Sequence, residues 1–167
     1  MIEKKYQEIL NTHSGVKDHL PIFRDYGSKC DHVTELGTGD GFSTWAFVAS
    51  GAKVVSVDIV KPSDEELLKH IDFILADDLT IDIYETDLLF IDTHHTYGQL
   101  IKELTKHGNK SRKYILMHDT NVYGLVGNNN EEGLYKAISE FLMFNLHWQV
   151  ETVYKNCGGL TILKRYV

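Results

Sequence analysis

A glycine-rich turn between a predicted strand and a predicted helix constrains the fold of this chain more than any other feature. Residues 31–44 read Asp-His-Val-Thr-Glu-Leu-Gly-Thr-Gly-Asp-Gly-Phe-Ser-Thr. An apolar-alternating run at residues 33–36 predicts the strand, and residues 45–50 predict the helix. Glycines between them let the backbone turn tightly and approach a ligand, which the helix N-terminus then faces. The stretch therefore predicts a site for a nucleotide-like ligand.

The glycine spacing separates two classes of cofactor. A dinucleotide fingerprint would read G-x-G-x-x-G, but Phe42 stands where its third glycine would be, and the chain reads Glu35-x-Gly37-x-Gly39-x-Gly41. A second predicted strand, residues 53–59, carries Asp58 at its carboxyl end. An acid at that place can accept hydrogen bonds from ribose hydroxyls.

These residues resemble the first motif of class I S-adenosylmethionine-dependent methyltransferases. The resemblance implies that the acid and the glycines hold the methionine end of the cofactor, that Asp58 holds the ribose, and that Asp77 or Asp78 borders the adenine. The cofactor carries an ammonium and a sulfonium but no phosphate, so carboxylates in the notch suit it. The predicted cofactor-binding residues are Glu35, Gly37, Thr38, Gly39, Gly41, Ser43, Asp58, Ile59, Asp77 and Asp78.

Strands alternating with helices predict the rest of the fold. This order implies a parallel sheet with helices on both faces, and two strands joined directly at the end would add an antiparallel edge. The expected fold is α/β: a Rossmann-like, doubly wound, mostly parallel seven-stranded sheet with an antiparallel C-terminal hairpin. The predicted strands are 33–36, 53–59, 71–76, 87–91, 114–117, 148–154 and 160–163, and the predicted helices include 2–11, 22–26, 45–50, 65–70, 97–107 and 131–144.

Length and composition place the chain among single-domain globular proteins. Its 167 residues, 43% hydrophobic and 25% charged, predict one domain, with residues 1–28 as a helical cap and residues 29–167 as the core. Within this helical segment, Ser14 is predicted to be the N-cap residue of a helix. His19 is expected to lie at the surface or to pack against other side chains. The cap is expected either to lie over the cofactor as a lid or simply to cover a sheet edge.

The net charge and the cysteines limit which partners and which cellular compartment are expected for this chain. A formal net charge of -7 argues against a broad nucleic-acid surface, and no apolar run approaches the length of a membrane span. Cys30 and Cys157 lack metal or redox spacing, which is typical of a reduced, cytoplasmic protein. The sequence leaves open whether the chain is a monomer or a homo-oligomer.

Acidic residues follow consecutive predicted strands, at the edge where ligands of open α/β sheets bind. Asp92 and Asp119 follow the fourth and fifth strands, and neighbouring strands run about 4.8 Å apart. These carboxylates are therefore expected to share a divalent cation, Mg²⁺, that activates an acceptor hydroxyl. His118 is a candidate metal ligand, and His95 is a candidate general base. Alternatively, the carboxylates bind substrate directly, and His94 and His95 cap the helix near Thr96.

Residues 90–97 and 115–120 refine the resemblance. Phe-Ile-Asp-Thr-His-His-Thr-Tyr and Ile-Leu-Met-His-Asp-Thr resemble the small cephalosporin-hydroxylase and macrolide-sugar O-methyltransferase group. His118 departs from that group, in which a carboxylate often stands. The resemblance implies O-methylation of a small hydroxylated acceptor, such as a sugar or glycan, with Asp92, His95, His118 and Asp119 as the catalytic residues. The alternative is a non-catalytic cofactor-binding or structural module with the same fold.

Overall fold

The computed structural model describes residues 1–12 and 15–166. Within these ranges the chain forms five α-helices, a seven-stranded sheet and short 3₁₀ turns. None of the described helices combines the length and the apolar character that crossing a bilayer requires. The elements are α1 (Ile2–Leu10), α2 (Leu20–Gly27), β1 (His32–Leu36), α3 (Phe42–Ser50), β2 (Lys53–Asp58), β3 (Asp72–Leu75), β4 (Thr86–Ile91), α4 (Tyr97–His107), β5 (Ser111–His118), α5 (Leu134–Phe144), β6 (Trp148–Tyr154) and β7 (Leu160–Arg165).

The strand order β3-β2-β1-β4-β5-β7-β6 confirms the predicted fold class. The first five strands are parallel, whereas β7 pairs antiparallel with both β5 and β6. The order reverses between β1 and β4, which is where open α/β sheets bind ligands. Because Ile91 is level with Met117 in the β4–β5 register, the residues after these two strands meet at one edge of the sheet.

Helices cover the sheet on both faces and divide the core into two layers. One buried cluster joins α1, α2 and α3 to the sheet, and the other joins α4 and α5 to the opposite face. Phe23 of α2 stacks on Phe47 of α3, with ring centroids 5.5 Å apart, and tilts against Phe90 of β4 at 4.8 Å. The N-terminal helices therefore pack on α3 and cover a face of the sheet rather than its edge.

Three predicted local features differ from the structure or lie outside it. Residues 65–70 form only a 3₁₀ turn at Leu67–Lys69, because the chain enters β3 almost immediately afterwards. The helix predicted from residue 131 begins at Leu134, because the backbone of residues 131–133 is engaged in loop hydrogen bonds and a bridge between Val126 and Glu132. The predicted N-cap at Ser14 lies outside the described residues.

Candidate functional site

The glycine loop, residues 37–41, brings the end of β1 against the end of β4. Gly37 has φ of 90°, and a Cβ at this position would lie 2.0 Å from the carbonyl oxygen of Asp92. A larger residue would therefore be excluded by both backbone conformation and space. This close approach places Asp92 beside the glycine loop, although the two residues are far apart in the chain.

Asp58 fixes the loop from the neighbouring strand. Its Oδ2 accepts hydrogen bonds from the backbone N–H groups of Thr38 at 2.8 Å and Gly39 at 2.9 Å, while its Oδ1 accepts from Val60 at 2.8 Å. A carboxylate offers about four acceptor positions. Asp58 therefore keeps one acceptor position for a ligand hydroxyl while it holds the loop in shape.

Glu35 lies beneath the loop rather than facing a ligand. The side chain is 0% exposed and accepts hydrogen bonds, each 2.6 Å long, from the hydroxyls of Ser43, Thr44 and Ser56. Burial raises the pKa of the Glu35 carboxyl to about 7, although these hydroxyls favour the ionised form. Glu35 therefore supports the loop from inside the protein, and its contact with the methionine end of the cofactor stays a prediction.

A cleft of about 380 Å³ runs from the glycine loop along the ends of β2, β3 and β4. Gly39 borders it, and a Cβ built there meets nothing within 4 Å, so this position opens towards the cleft. Thr38 and Ser43 line an adjoining pocket, whereas Gly41 is the N-cap of α3 and faces Leu67 instead. The predicted residues that line the cleft are Gly37, Gly39, Asp58, Ile59, Asp77, Asp78 and Asp92.

Five further residues line the cleft, namely Val57, Ala76, Thr93, His94 and Gln99. Among them are two polar side chains, Thr93 and Gln99, that the sequence patterns did not indicate as site residues. Gln99 lies in the first turn of α4, where Thr96 caps the helix by accepting a hydrogen bond from the Gln99 N–H at 3.3 Å. The prediction that His94 and His95 cap this helix is therefore wrong. Glutamine is common in helices, so its residue type does not identify Gln99 as a site residue. The only signal in the sequence is its position shortly after the end of β4.

The structure brings Asp92, His118 and Asp119 into one acid–histidine cluster. One ligand atom from each residue lies within 4.8 Å of the others. His118 Nδ1 is 3.4 Å from Asp92 Oδ2 and 3.3 Å from Asp119 Oδ1. Such a set of two oxygens and one nitrogen is a chemically suitable start for a divalent cation site.

Asp119 reaches the cluster through an uncommon backbone conformation. Its φ is 56°, in the left-handed region that residues other than glycine rarely adopt and that often occurs at functional sites. The neighbouring Gly158 makes room for the carboxylate, because a Cβ there would lie 1.8 Å from Asp119 Oδ1. The N–H groups of Asn121 and Val122 hold the turn by donating to the Gly158 carbonyl, each at 2.8 Å.

His118 is oriented from behind by a residue of the N-terminal segment. The side chain is 4% exposed, and its Nε2 lies 3.0 Å from His19 Nδ1, while His19 Nε2 lies 3.3 Å from Asn156 Oδ1. His118 Nδ1, which faces the two carboxylates, has no hydrogen-bond partner among the described residues. The predicted packing role of His19 thus extends to the cluster, and burial lowers the pKa of His19.

His95 lies on the open side of the cluster. Its Nε2 is 3.1 Å from Asp92 Oδ1 and 3.4 Å from Asp119 Oδ2. Burial lowers the pKa of His95, but the two carboxylates outweigh this effect and raise it overall. The imidazole ring stacks on the ring of Tyr123, with centroids 4.7 Å apart. The backbone N–H of His95 donates a hydrogen bond to Asn128 Oδ1 at 2.8 Å. Loop 121–133 therefore packs directly on this histidine.

The fold is similar to that of solved methyltransferase structures, several of which contain S-adenosylmethionine or S-adenosylhomocysteine. No protein-family model matches the chain, and no curated protein matches its sequence. The three solved structures described next align with nearly the whole chain, but they are at most 16% identical to it. The similarity is therefore one of fold.

Three solved structures illustrate the range. A methyltransferase from Podospora anserina bound to S-adenosylhomocysteine is 16% identical, with a TM-score of 0.66 over 99% of this chain and 88% of its own. The 1,6-didemethyltoxoflavin N1-methyltransferase of Burkholderia thailandensis is 14% identical, with a TM-score of 0.71 over 96% and 82%. An O-methyltransferase of tomaymycin synthesis from Streptomyces achromogenes is 11% identical, with a TM-score of 0.66 over 93% and 82%.

Proposed function

We propose that this chain is an S-adenosylmethionine-dependent O-methyltransferase that acts on a hydroxyl of a small acceptor, such as a sugar or glycan, with the help of a divalent cation. One observation carries the proposal: Asp92 belongs both to the cleft and to the acid–histidine cluster. A single residue therefore links a cofactor-sized cleft to a group of possible metal ligands and bases. Methyl transfer to a hydroxyl requires this proximity of cofactor and acceptor.

The cleft suits S-adenosylmethionine in size and charge. Its volume of about 380 Å³ falls within the ordinary range of ligand pockets. The carboxylates of Asp58, Asp77 and Asp92 border it, and they complement an ammonium and a sulfonium better than they would a pyrophosphate. In this proposal Asp58 and Ile59 hold the ribose, Asp78 and Gln99 lie towards the adenine, and the glycine loop receives the methionine end.

The acid–histidine cluster suits a divalent cation. Two carboxylate oxygens lie within 3.4 Å of a buried imidazole nitrogen that has no other partner among the described residues, and a cation between them would satisfy all three atoms. Metal-binding histidines commonly use their second ring nitrogen for a supporting hydrogen bond, as His118 does towards His19. The imidazole in the set favours Mn²⁺ or Zn²⁺ over Mg²⁺, which prefers oxygen ligands.

The residues of the cluster then have separate roles in the reaction. Asp92, His118 and Asp119 would hold the cation, which when bound lowers the pKa of an acceptor hydroxyl. His95 is the candidate base, because its Nε2 faces the same carboxylates from the open side. Tyr123 keeps the imidazole in place by stacking. The main contribution of the protein is to align the acceptor oxygen with the methyl group of the cofactor.

A metal titration tests the cluster. Calorimetry with Mn²⁺, Zn²⁺ and Mg²⁺ would compare the wild type with Asp119→Asn and with Glu85→Gln, a control at an exposed acid outside the site. We expect Mn²⁺ or Zn²⁺ to bind the wild type and the control, and to bind Asp119→Asn at least tenfold more weakly. Equal binding to all three proteins would refute the shared cation and favour direct contact between the carboxylates and the acceptor.

An assay with isotope-labelled S-adenosylmethionine and a panel of sugars and other small hydroxylated compounds tests the reaction. Transfer of label to one acceptor, abolished in Asp92→Asn and retained in Glu85→Gln, would support the enzyme. Binding of the cofactor without transfer to any compound in the panel would favour the non-catalytic module instead.

A further inference from the structure

A buried acid lies directly behind the cleft without lining it. Glu103 on α4 is 0% exposed. Its Oε1 accepts hydrogen bonds from the Thr93 hydroxyl and from Gln99 Nε2, the latter at 2.8 Å. Its Oε2 has no donor among the described N–H and O–H groups. A buried carboxylate oxygen without a donor is costly, so the protonation state of this side chain needs a physical explanation.

Asp78 supplies the missing partner. It is 8% exposed, and its Oδ2 likewise lacks a donor among the described residues. Gln99 Nε2 lies 2.8 Å from Glu103 Oε1 and 3.4 Å from Asp78 Oδ1, so the two buried carboxyl groups are neighbours, and a hydrogen bond between them would satisfy both oxygens. A hydrogen bond between two carboxyls requires a proton, because ionised carboxylates are acceptors only. Burial raises the pKa of both groups, that of Glu103 to about 8, which agrees with one shared proton at neutral pH.

The pair connects side chains from separate parts of the fold. Asp78 follows β3, Thr93 follows β4, and Gln99 lies on α4; all three line the cleft. Glu103 accepts hydrogen bonds from Thr93 and Gln99, and Gln99 Nε2 also approaches Asp78 Oδ1 at 3.4 Å. One protonated acid can therefore set the geometry of three groups at this end of the cleft.

We propose that Glu103 is a positioning residue for the cofactor: in its protonated form it holds Asp78, Thr93 and Gln99 in the arrangement that binds S-adenosylmethionine. The inference rests on the proposed function, which assigns this cleft to that cofactor. When the shared proton is lost, two adjacent negative charges repel each other. Asp78 then moves away from Glu103 and the bridge through Gln99 opens.

Other titratable groups surround the pair, and the experiment must separate them from it. They are Asp77, Lys106 and His107, and, across a small cavity shared with Glu103, His94, His95 and His118. His107 Nε2 bonds the Asp78 carbonyl at 2.9 Å, and burial lowers the pKa of His107. All of these groups are retained in variants of Glu103, so a difference between wild type and variant isolates the pair.

The test measures the affinity of the full chain for S-adenosylhomocysteine between pH 6 and pH 9.5. Wild type and the exposed control Glu85→Gln should lose affinity above about pH 8, approaching tenfold per pH unit because one proton is linked to binding. Glu103→Ala should bind weakly at every pH. Glu103→Gln, a neutral mimic of the protonated acid, should restore affinity to within about threefold of wild type at pH 7 and remove the loss at high pH.

Infrared spectroscopy of the free protein provides a readout independent of the ligand. A protonated-carboxyl band at pH 7 in the difference spectrum of wild type minus Glu103→Gln supports the shared proton, because Glu35, whose pKa is also raised to about 7, contributes equally to both proteins; absence of the band from this difference overturns it. If the band is present but wild type and Glu103→Gln share one pH profile of affinity, the positioning role is overturned while the cofactor assignment stands. If the band is present and neither wild type nor any variant binds S-adenosylhomocysteine at any pH, the proposed function itself is overturned, and the positioning role with it.

Discussion

Replacing Glu35 with glutamine tests whether this acid supports the loop or binds the cofactor. The side chain is buried, and burial raises its pKa from 4.5 to about 7. The folded state therefore holds a proton that the unfolded state releases between these pH values. This contribution to stability is complete below pH 4.5 and is lost as pH rises through 7. At about 1.4 kcal/mol per pKa unit, the loss is about 3 kcal/mol.

Glu35→Gln removes this dependence because an amide does not titrate. Between pH 4.5 and pH 8, the unfolding free energy of wild type should therefore fall by about 3 kcal/mol relative to that of Glu35→Gln. Urea unfolding, followed by fluorescence of the buried Trp45 and Trp148, measures this difference at each pH. Glu85→Gln serves as the exposed control and should track wild type.

The same variant distinguishes the two roles of Glu35 through binding. If the acid only supports the loop, Glu35→Gln should bind S-adenosylhomocysteine within a few-fold of wild type at pH 6. A direct bond to the ligand ammonium would contribute about 1.5–3 kcal/mol, or roughly 10–150-fold in affinity. A pH-independent stability difference, or a loss of affinity in that range, would refute the supporting role.

Other contacts around the site and in the core lead to three more predictions. Gly158→Ala would place a methyl group 1.8 Å from Asp119 Oδ1, so Mn²⁺ affinity should fall at least tenfold in calorimetry. His19→Phe removes the partner of His118 Nε2 and should weaken the same binding by about 10–100-fold, whereas unchanged affinity would contradict the supporting hydrogen bond. Burial raises the pKa of Cys30 to about 11, so mass spectrometry should find this thiol unalkylated by iodoacetamide in the folded protein at pH 8.

The fold was predictable because its signals are local and repeat along the chain. Strand and helix alternate with the periodicity each requires, and the glycine loop marks the first crossover. The proximity of Asp92, His118 and Asp119 also followed from sequence, because the ends of neighbouring parallel strands meet at one edge of the sheet. Their metal-binding and catalytic roles remain predictions.

The orientation of individual side chains was not predictable in the same way. The alternating pattern around Glu35 predicts the strand that contains it. Its contact with the Ser56 hydroxyl, however, depends on the register between β1 and β2. His19 reaches His118 across 99 positions of the chain, and Glu103 and Asp78 become neighbours only because α4 packs against the turn after β3. Such contacts arise from tertiary packing, which sequence periodicity does not specify.

Calorimetric titration of S-adenosylhomocysteine into wild type and Gly39→Arg is the most direct test that the cleft binds this class of cofactor. Gly51→Arg is a matched control: both glycines have positive φ, 50° and 90°, and a Cβ added at either would meet open space, but only Gly39 borders the cleft. We expect binding by wild type and Gly51→Arg and its loss in Gly39→Arg. Absence of binding by wild type, or equal binding by all three proteins, would contradict the assignment of this cleft to the cofactor.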